Sequence, residues 1–216
     1  MGAMSDPPQP SGFSDPTGTW NRRFSEPGYL FGTEPNGWLH EHADLWHAGQ
    51  RVLCVADGEG RNSVWLAQRG LIVDAFDIAE VGVRKARDFA RITGVKVNFA
   101  VADIATLAWP ESLYDGVAAI FIQFADPQLR LRIFEGMMRC LKPGGTLVLQ
   151  GYTPKQLDYR TGGPPIASHM YTPELLREAF QAMDILELRE YEADLAEGSA
   201  HKGHSALIGM VARKRA

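Results

Sequence analysis

The chain has 216 residues, 45% of them hydrophobic and 22% charged, the composition of one ordinary globular domain and not of a disordered chain, a collagen-like fibre or a coiled coil. A formal net charge of −4 argues against the simplest nucleic-acid and anionic-membrane readings, which want a basic surface. Cys54 and Cys140 are the only cysteines and both sit in apolar stretches, a pattern expected of a reduced, cytoplasmic protein with no disulfide framework. No run of 18 apolar residues offers a membrane span.

Residues 1–19 have neither the positive nor the apolar region of a signal peptide. They are rich in Pro, Gly, Ser and Asp and are expected to be a disordered tail. Gly2 and Ala3 ahead of Met4 read as a cloning scar, with Met4 the natural start. Residues 20–50 form an aromatic-rich segment (Trp20, Phe24, Tyr29, Phe31, Trp38) with a helix expected over about 36–48. His40, His42 and His47 fall in that helix, with no carboxylate or cysteine completing a metal set, so they read as a solvated face.

From residue 51 the chain alternates short apolar runs with amphipathic ones. RVLCVA (51–56) is a strand ending in a glycine-rich turn, followed by a helix over 62–69. LIVDAFD (71–77) is a second strand, with a helix from about 81 to 92 after it. VKVNFAVAD (95–103) is a third strand and YDGVAAIFIQF (114–124) a fourth. Asp126-Pro127 then opens a helix through Leu141, with Asp126 as N-cap and Pro127 at the first helical position. Lys142-Pro143-Gly144-Gly145 reads as a turn into a fifth strand, TLVLQGY (146–152). Strands alternating with helices, and apolar throughout, indicate a parallel sheet covered on both faces.

The last stretch changes character. A helix starts at Thr172-Pro173, and two extended runs, 185–195 and 205–214, are joined by a short loop, which makes them an antiparallel pair. The expected architecture is α/β: a Rossmann-like three-layer sandwich around a mostly parallel seven-stranded sheet with a terminal antiparallel hairpin. The cofactor-binding core would be 51–152, and 153–216 the acceptor side.

Three strand ends converge on the carboxyl edge of that sheet, where open α/β sheets bind ligands. The first carries Gly58-x-Gly60, which lets a ligand approach the backbone closely. Asp77 closes the second strand, nineteen residues after Gly58, where an acid accepts from ribose hydroxyls, although an aspartate there also caps the next helix. Asp103 closes the third strand with the same two readings. No Walker A sequence is present. The dinucleotide pattern fails at Ser63, where a third glycine belongs, and Asp57 and Glu59 in the loop suit a cation better than a pyrophosphate. Together these favour S-adenosyl-L-methionine over a nicotinamide dinucleotide.

Residues 51–152 resemble the Rossmann-like class I S-adenosylmethionine-dependent methyltransferases, and the segment LKPGGTLVL (141–149) resembles the stretch before that family's fifth strand. Against the family's first motif, Cys54 stands at the acid position and Ala56 at the first glycine. The resemblance implies cofactor contacts from Ala56, Asp57, Gly58, Gly60, Arg61 and Asn62, from Asp77 with Ile78 at the ribose, and from Asp103 with Ile104 at the adenine. Asp57 would substitute for the missing acid at 54. The patterns WNRRF…YLFGTEPN (20–36), ADGEGRN (56–62), TGGP (161–164) and EGSAHKGHSALI (197–208) resemble the tellurite-resistance-type small methyltransferases. That likeness implies methyl transfer to a small soft nucleophile, a thiol or a selenium or tellurium oxyanion.

The expected acceptor-side residues are Arg22, Tyr29 and Phe31 in an aromatic lid, Gln123 at the end of the fourth strand, and Arg160, His169 and His201 as an anion-binding set. Methyl transfer is an in-line displacement whose main demand is alignment, so an obligatory general base is not expected. The alternatives are a nicotinamide-dependent oxidoreductase and a non-catalytic adenosine-binding module whose loop no longer holds cofactor. The expected partner is a small-molecule acceptor, with neither nucleic acid nor membrane involved.

Overall fold

A computed structural model describes residues 15–216. Most of the expected tail (1–14) lies outside the described residues, but its end is not disordered: helix α1 (Pro16–Phe24) begins inside it. Asp15 Oδ1 accepts from the Gly18 N–H at 2.8 Å and Pro16 takes the first helical position. The Asp-Pro pair is thus a helix start and not tail composition. The helix expected over 36–48 is two pieces, α2 (Gly37–Glu41) and a 3₁₀ turn at Ala43–Leu45. The break falls at His42 (φ −108°, ψ 11°). Its Nδ1 lies 2.9 Å from the Trp38 carbonyl oxygen, the acceptor a continuing helix would give to the His42 N–H.

The core then runs β1 (Arg51–Val55), α3 (Arg61–Gln68), β2 (Ile72–Asp77), α4 (Glu80–Thr93), β3 (Val97–Val101), β4 (Tyr114–Ile120), α5 (Pro127–Cys140) and β5 (Leu141–Tyr152). It continues through α6 (Gln156–Tyr159), a 3₁₀ turn at Ala167–His169, α7 (Pro173–Ala179), β6 (Met183–Glu197) and β7 (His201–Lys214). The seven strands form one sheet in the order β3-β2-β1-β4-β5-β7-β6. β1 to β5 are mutually parallel, and β7 runs antiparallel to both β5 and β6, which is the architecture the sequence predicts.

Successive strand residues face opposite layers. Leu53, Val117, Leu147 and Met210 pack with Ile133, Phe134, Leu176 and Phe180 on the α5–α7 side. Cys54, Ala118, Val148 and Val211 pack with Trp38, Leu39 and Leu66 on the α2–α3 side. Both faces of β1, β4, β5 and β7 are largely buried, so these strands read as mostly apolar runs without alternation.

Two boundaries differ from expectation. β4 ends at Ile120, so Gln123 and Phe124 lie beyond it. Residues 142–145 are not a free turn but an irregularity within β5: Tyr114 pairs with Leu141 and Gly116 next with Thr146. Gly144 (φ 78°) supplies the left-handed residue there. Among the described residues no helix is long and apolar enough to cross a membrane.

Candidate cofactor and acceptor site

A cavity of about 560 Å³ opens at the carboxyl ends of β1, β2 and β4. Of the expected cofactor residues, Ala56, Asp57, Gly58, Arg61, Asn62, Asp77, Ile78, Asp103 and Ile104 line it together. Gly60 does not. A Cβ on Gly60 would stand 2.8 Å from the Ala86 Cβ, at φ 90°, so this glycine is required for the close approach of α3 to α4 and not for ligand contact.

The loop after β1 is held by Asp77, whose Oδ2 accepts from the Gly58 N–H at 2.9 Å and Oδ1 from the Ala79 N–H at 2.8 Å. Burial pushes the Asp77 carboxyl up to about 6 against the pull of these backbone donors. Asp57 is more strongly affected. Its Oδ2 accepts from the Ser63 hydroxyl, whereas Oδ1 is buried with no partner among the described residues. Burial pushes this carboxyl up to about 7; Ser63 and Arg61 pull it down, and the neighbouring Asp77 pushes it further up. Asp103 is exposed and caps its own turn, Oδ1 accepting from the Ala105 N–H at 2.8 Å. Glu59, expected beside the ligand, faces away: its carboxylate takes Lys85 Nζ at 2.6 Å and the Leu30 N–H at 2.7 Å.

The opposite end of the cavity is an aromatic chamber. Trp20, Arg23, Phe31, Phe121, Tyr152 and His201 line it, with the 162–165 loop as a further wall. Arg23 stacks on Trp20, its guanidinium carbon 4.5 Å from the ring centroid. The chamber closes where the β6–β7 turn meets the N-terminal segment: the Ser199 N–H donates to the Leu30 oxygen at 2.9 Å. Glu197 at the end of β6 accepts from Arg61 at 2.7 Å and from Asn36 at 2.9 Å.

The expected acceptor set is therefore gathered only in part. Phe31, Gln123 and His201 line the cavity, and Arg22, Tyr29, Arg160 and His169 do not. Arg22 is exposed beside Thr19. Tyr29 packs on Phe89, 5.5 Å between centroids, outside the chamber. Arg160 ends α6 in the left-handed conformation and is exposed. His169 is buried with Nδ1 3.2 Å from the Gln123 oxygen, so it supports the loop that carries Gln123. Gln123 itself donates to the Tyr152 oxygen at 2.8 Å and accepts from the Tyr152 N–H at 2.6 Å. Sequence reasoning missed Phe121, Tyr152 and Glu197. The first two sit in apolar runs that read as core, and Glu197 meets Arg61 across 136 residues, a pairing no local spacing signals.

Residues 52–145 match the family model described as a methyltransferase domain. The chain is similar to the methyltransferase GfsG of Streptomyces halstedii, 32% identical over 114 residues, which are 51% of this chain and 40% of that one. It spans between 40% and 54% of the length of the curated relatives it matches. Its fold resembles that of a SAM-dependent methyltransferase from Methanosarcina mazei, with a TM-score of 0.67, 22% identity and coverage of 84% of this chain and 99% of that one. It also resembles TehB from Haemophilus influenzae, with a TM-score of 0.69, 21% identity and coverage of 83% and 62%. These two likenesses are of fold.

Proposed function

We propose that the chain is an S-adenosylmethionine-dependent methyltransferase acting on a small soft acceptor, with a thiol as the preferred class. The observation that carries the reading is Asp57, which lines the cavity and whose buried Oδ1 has no hydrogen-bond partner among the described residues. A carboxylate there suits the ammonium or sulfonium of S-adenosylmethionine and would repel a pyrophosphate. Asp57 thereby takes over from the acid missing at Cys54. Asp77 keeps lone pairs beyond its two backbone bonds for ribose hydroxyls, and Asp103 with Ile104 would flank the adenine. When bound, the cofactor supplies an electrophilic methyl group on sulfur.

The aromatic walls Phe31, Phe121 and Tyr152 exclude water and orient a soft, polarisable acceptor. An oxyanion is the less suited occupant, because Arg160 and His169 stand away from the chamber and leave Arg23 as its only guanidinium, among the described residues, away from the loop after β1. The pattern resemblance to the tellurite-resistance type supports a small acceptor, and the family model and curated relative favour methyl transfer over nicotinamide chemistry.

The test is calorimetric titration with S-adenosylhomocysteine, with NAD(H) alongside. Micromolar binding of the homocysteine compound alone, weakened in Asp57→Asn, is the expected result. Binding of NAD(H) alone would restore the oxidoreductase, and binding of neither would make the chain a non-catalytic module.

A further inference from the structure

The acceptor chamber holds a group whose chemistry goes beyond shape. His201 opens β7 and is 8% exposed. Its ring centroid stands 4.3 Å from Phe121, 4.5 Å from Phe31 and 5.8 Å from Tyr152. Burial is the largest influence on the ring and pushes its pKa below the usual histidine value. Arg61 on α3 and Arg23 on α1 push the same way, while Glu197 opposes them. The imidazole is therefore neutral near pH 7, with a nitrogen able to accept a proton.

Its two nitrogens are not equivalent. Nδ1 is buried without a hydrogen bond among the described residues, and the nearest acid is Glu197 Oε2 at 3.8 Å. That gap is too long for a hydrogen bond, and small closing movements of this kind are common when a substrate arrives. Glu197 stays ionised: burial alone would raise its carboxyl, but His201 and Arg61 outweigh burial and hold it at about 2. With Nδ1–H turned toward this anion, the lone pair sits on Nε2 of a ring that lines the cavity. Arg23, half-buried beside it, forms no ion pair with any described residue, and its charge favours an acceptor that becomes an anion.

We propose that His201 is the general base of the transfer, positioned by Glu197, and that the acceptor is a small arene carrying a weakly acidic S–H or O–H. This rests on the methyltransferase reading. Nε2 removes the acceptor proton, and the lone pair so freed forms the bond to the methyl carbon. The carbon–sulfur bond of the donor breaks with its electron pair going to sulfur, leaving a neutral thioether. Glu197 stabilises the imidazolium until it loses its proton to water. The flat walls select the arene, and its protonated state is what makes a base useful, contrary to the expectation that none is required.

The test compares the wild-type chain with His201→Gln on three acceptors at pH 7: benzyl mercaptan and phenol, both protonated, and 4-nitrothiophenol, already a thiolate. S-adenosylhomocysteine binding is measured for each protein. The expected result is a loss in kcat/KM of about 10²-fold or more on a protonated acceptor and a much smaller loss on 4-nitrothiophenol. With the wild type, the kcat/KM profile on the protonated acceptor should rise through an ionisation below the ordinary histidine value. That limb should move to lower pH in Glu197→Gln, because the carboxylate that raises the ring's pKa is gone. Equal losses on all acceptors overturn the base. A wild type that binds S-adenosylhomocysteine yet methylates none of the three overturns the acceptor class, and one that does not bind it overturns the methyltransferase reading instead. If His201→Gln loses binding, the wild-type profile decides: a rise that tracks the acceptor's own ionisation overturns the proposal.

Discussion

Ala56 holds φ at 49° and Phe121 at 55°. Each is the first residue past a strand, β1 and β4, and each lines the cavity. The left-handed region costs an L-residue about 1–2 kcal/mol, while glycine there carries an extra entropic cost of about 0.5–1 kcal/mol. Ala56→Gly should therefore stabilise the chain by about 0.5–1 kcal/mol, read as a higher denaturant midpoint at unchanged slope; a lower midpoint would show that no strain is held there. Asp57 gives a second expectation. Its carboxyl is pushed up to about 7 by burial, so near neutrality it is partly protonated. A cationic ligand beside this carboxyl selects the ionised form. Affinity for S-adenosylhomocysteine should hold steady above about pH 7 and fall by about tenfold per unit below it. Asp57→Asn should flatten that dependence, and calorimetry in buffers of different ionisation enthalpy should detect proton release in the wild type only. In the ligand-free chain the sign is opposite: a carboxyl held above its unfolded value contributes stability at low pH that is lost as pH rises through about 7.

At the scale of elements, one side chain of α4 ties the N-terminal segment down at two carbonyls. Lys85 Nζ donates to the Glu26 oxygen at 2.9 Å, the Gly28 oxygen at 2.6 Å and Glu59 at 2.6 Å. Glu59 is 4% exposed, so removing its cation leaves a buried charge with the Leu30 N–H as its remaining partner. Lys85→Met should cost about 3 kcal/mol or more and speed amide exchange in residues 26–31 ahead of the sheet; unchanged exchange there would mean that the fastening lies elsewhere. Glu59 also shows where sequence reading stops. Its place in the glycine loop was legible and suggested ligand contact, but the loop's turn sends it to the far side, to a lysine 26 residues away. The strands and the caps at Asp126 and Thr172 were legible because apolar runs and N-cap chemistry act over a few residues. The break at His42 was not, because it depends on one ring taking one carbonyl.

For the whole molecule, the cavity joins parts that the sequence keeps far apart: α1 and Phe31 at one side, β1 to β4 beneath, and the β6–β7 turn at the other. The lining at the ends of β1, β2 and β3 was readable because its residues fall at strand ends in fixed order. The acceptor half was not, since only folding shows which of several scattered arginines and histidines come together. A ligand spanning both halves should stabilise them as one unit. At a hundredfold excess over its dissociation constant, S-adenosylhomocysteine should add about 2.7 kcal/mol, a rise of about 5–10 °C in melting temperature for a domain of this size. Protection from amide exchange should appear together at residues 16–31 and 197–201; protection of the strand ends alone would mean that the halves respond independently.

β7 lies between β5 and β6 in the sheet, although β6 precedes it in the chain. A polypeptide made in order therefore lays down β6 before the strand that can join it to the rest exists, and β5 keeps an open edge until residues 201–214 emerge. His201 is the first residue of that inserted strand. On the proposed roles, a chain ending before it carries the loop after β1 and the acids behind it and lacks the base. On that assignment the order of synthesis puts the binding residues ahead of the proposed base.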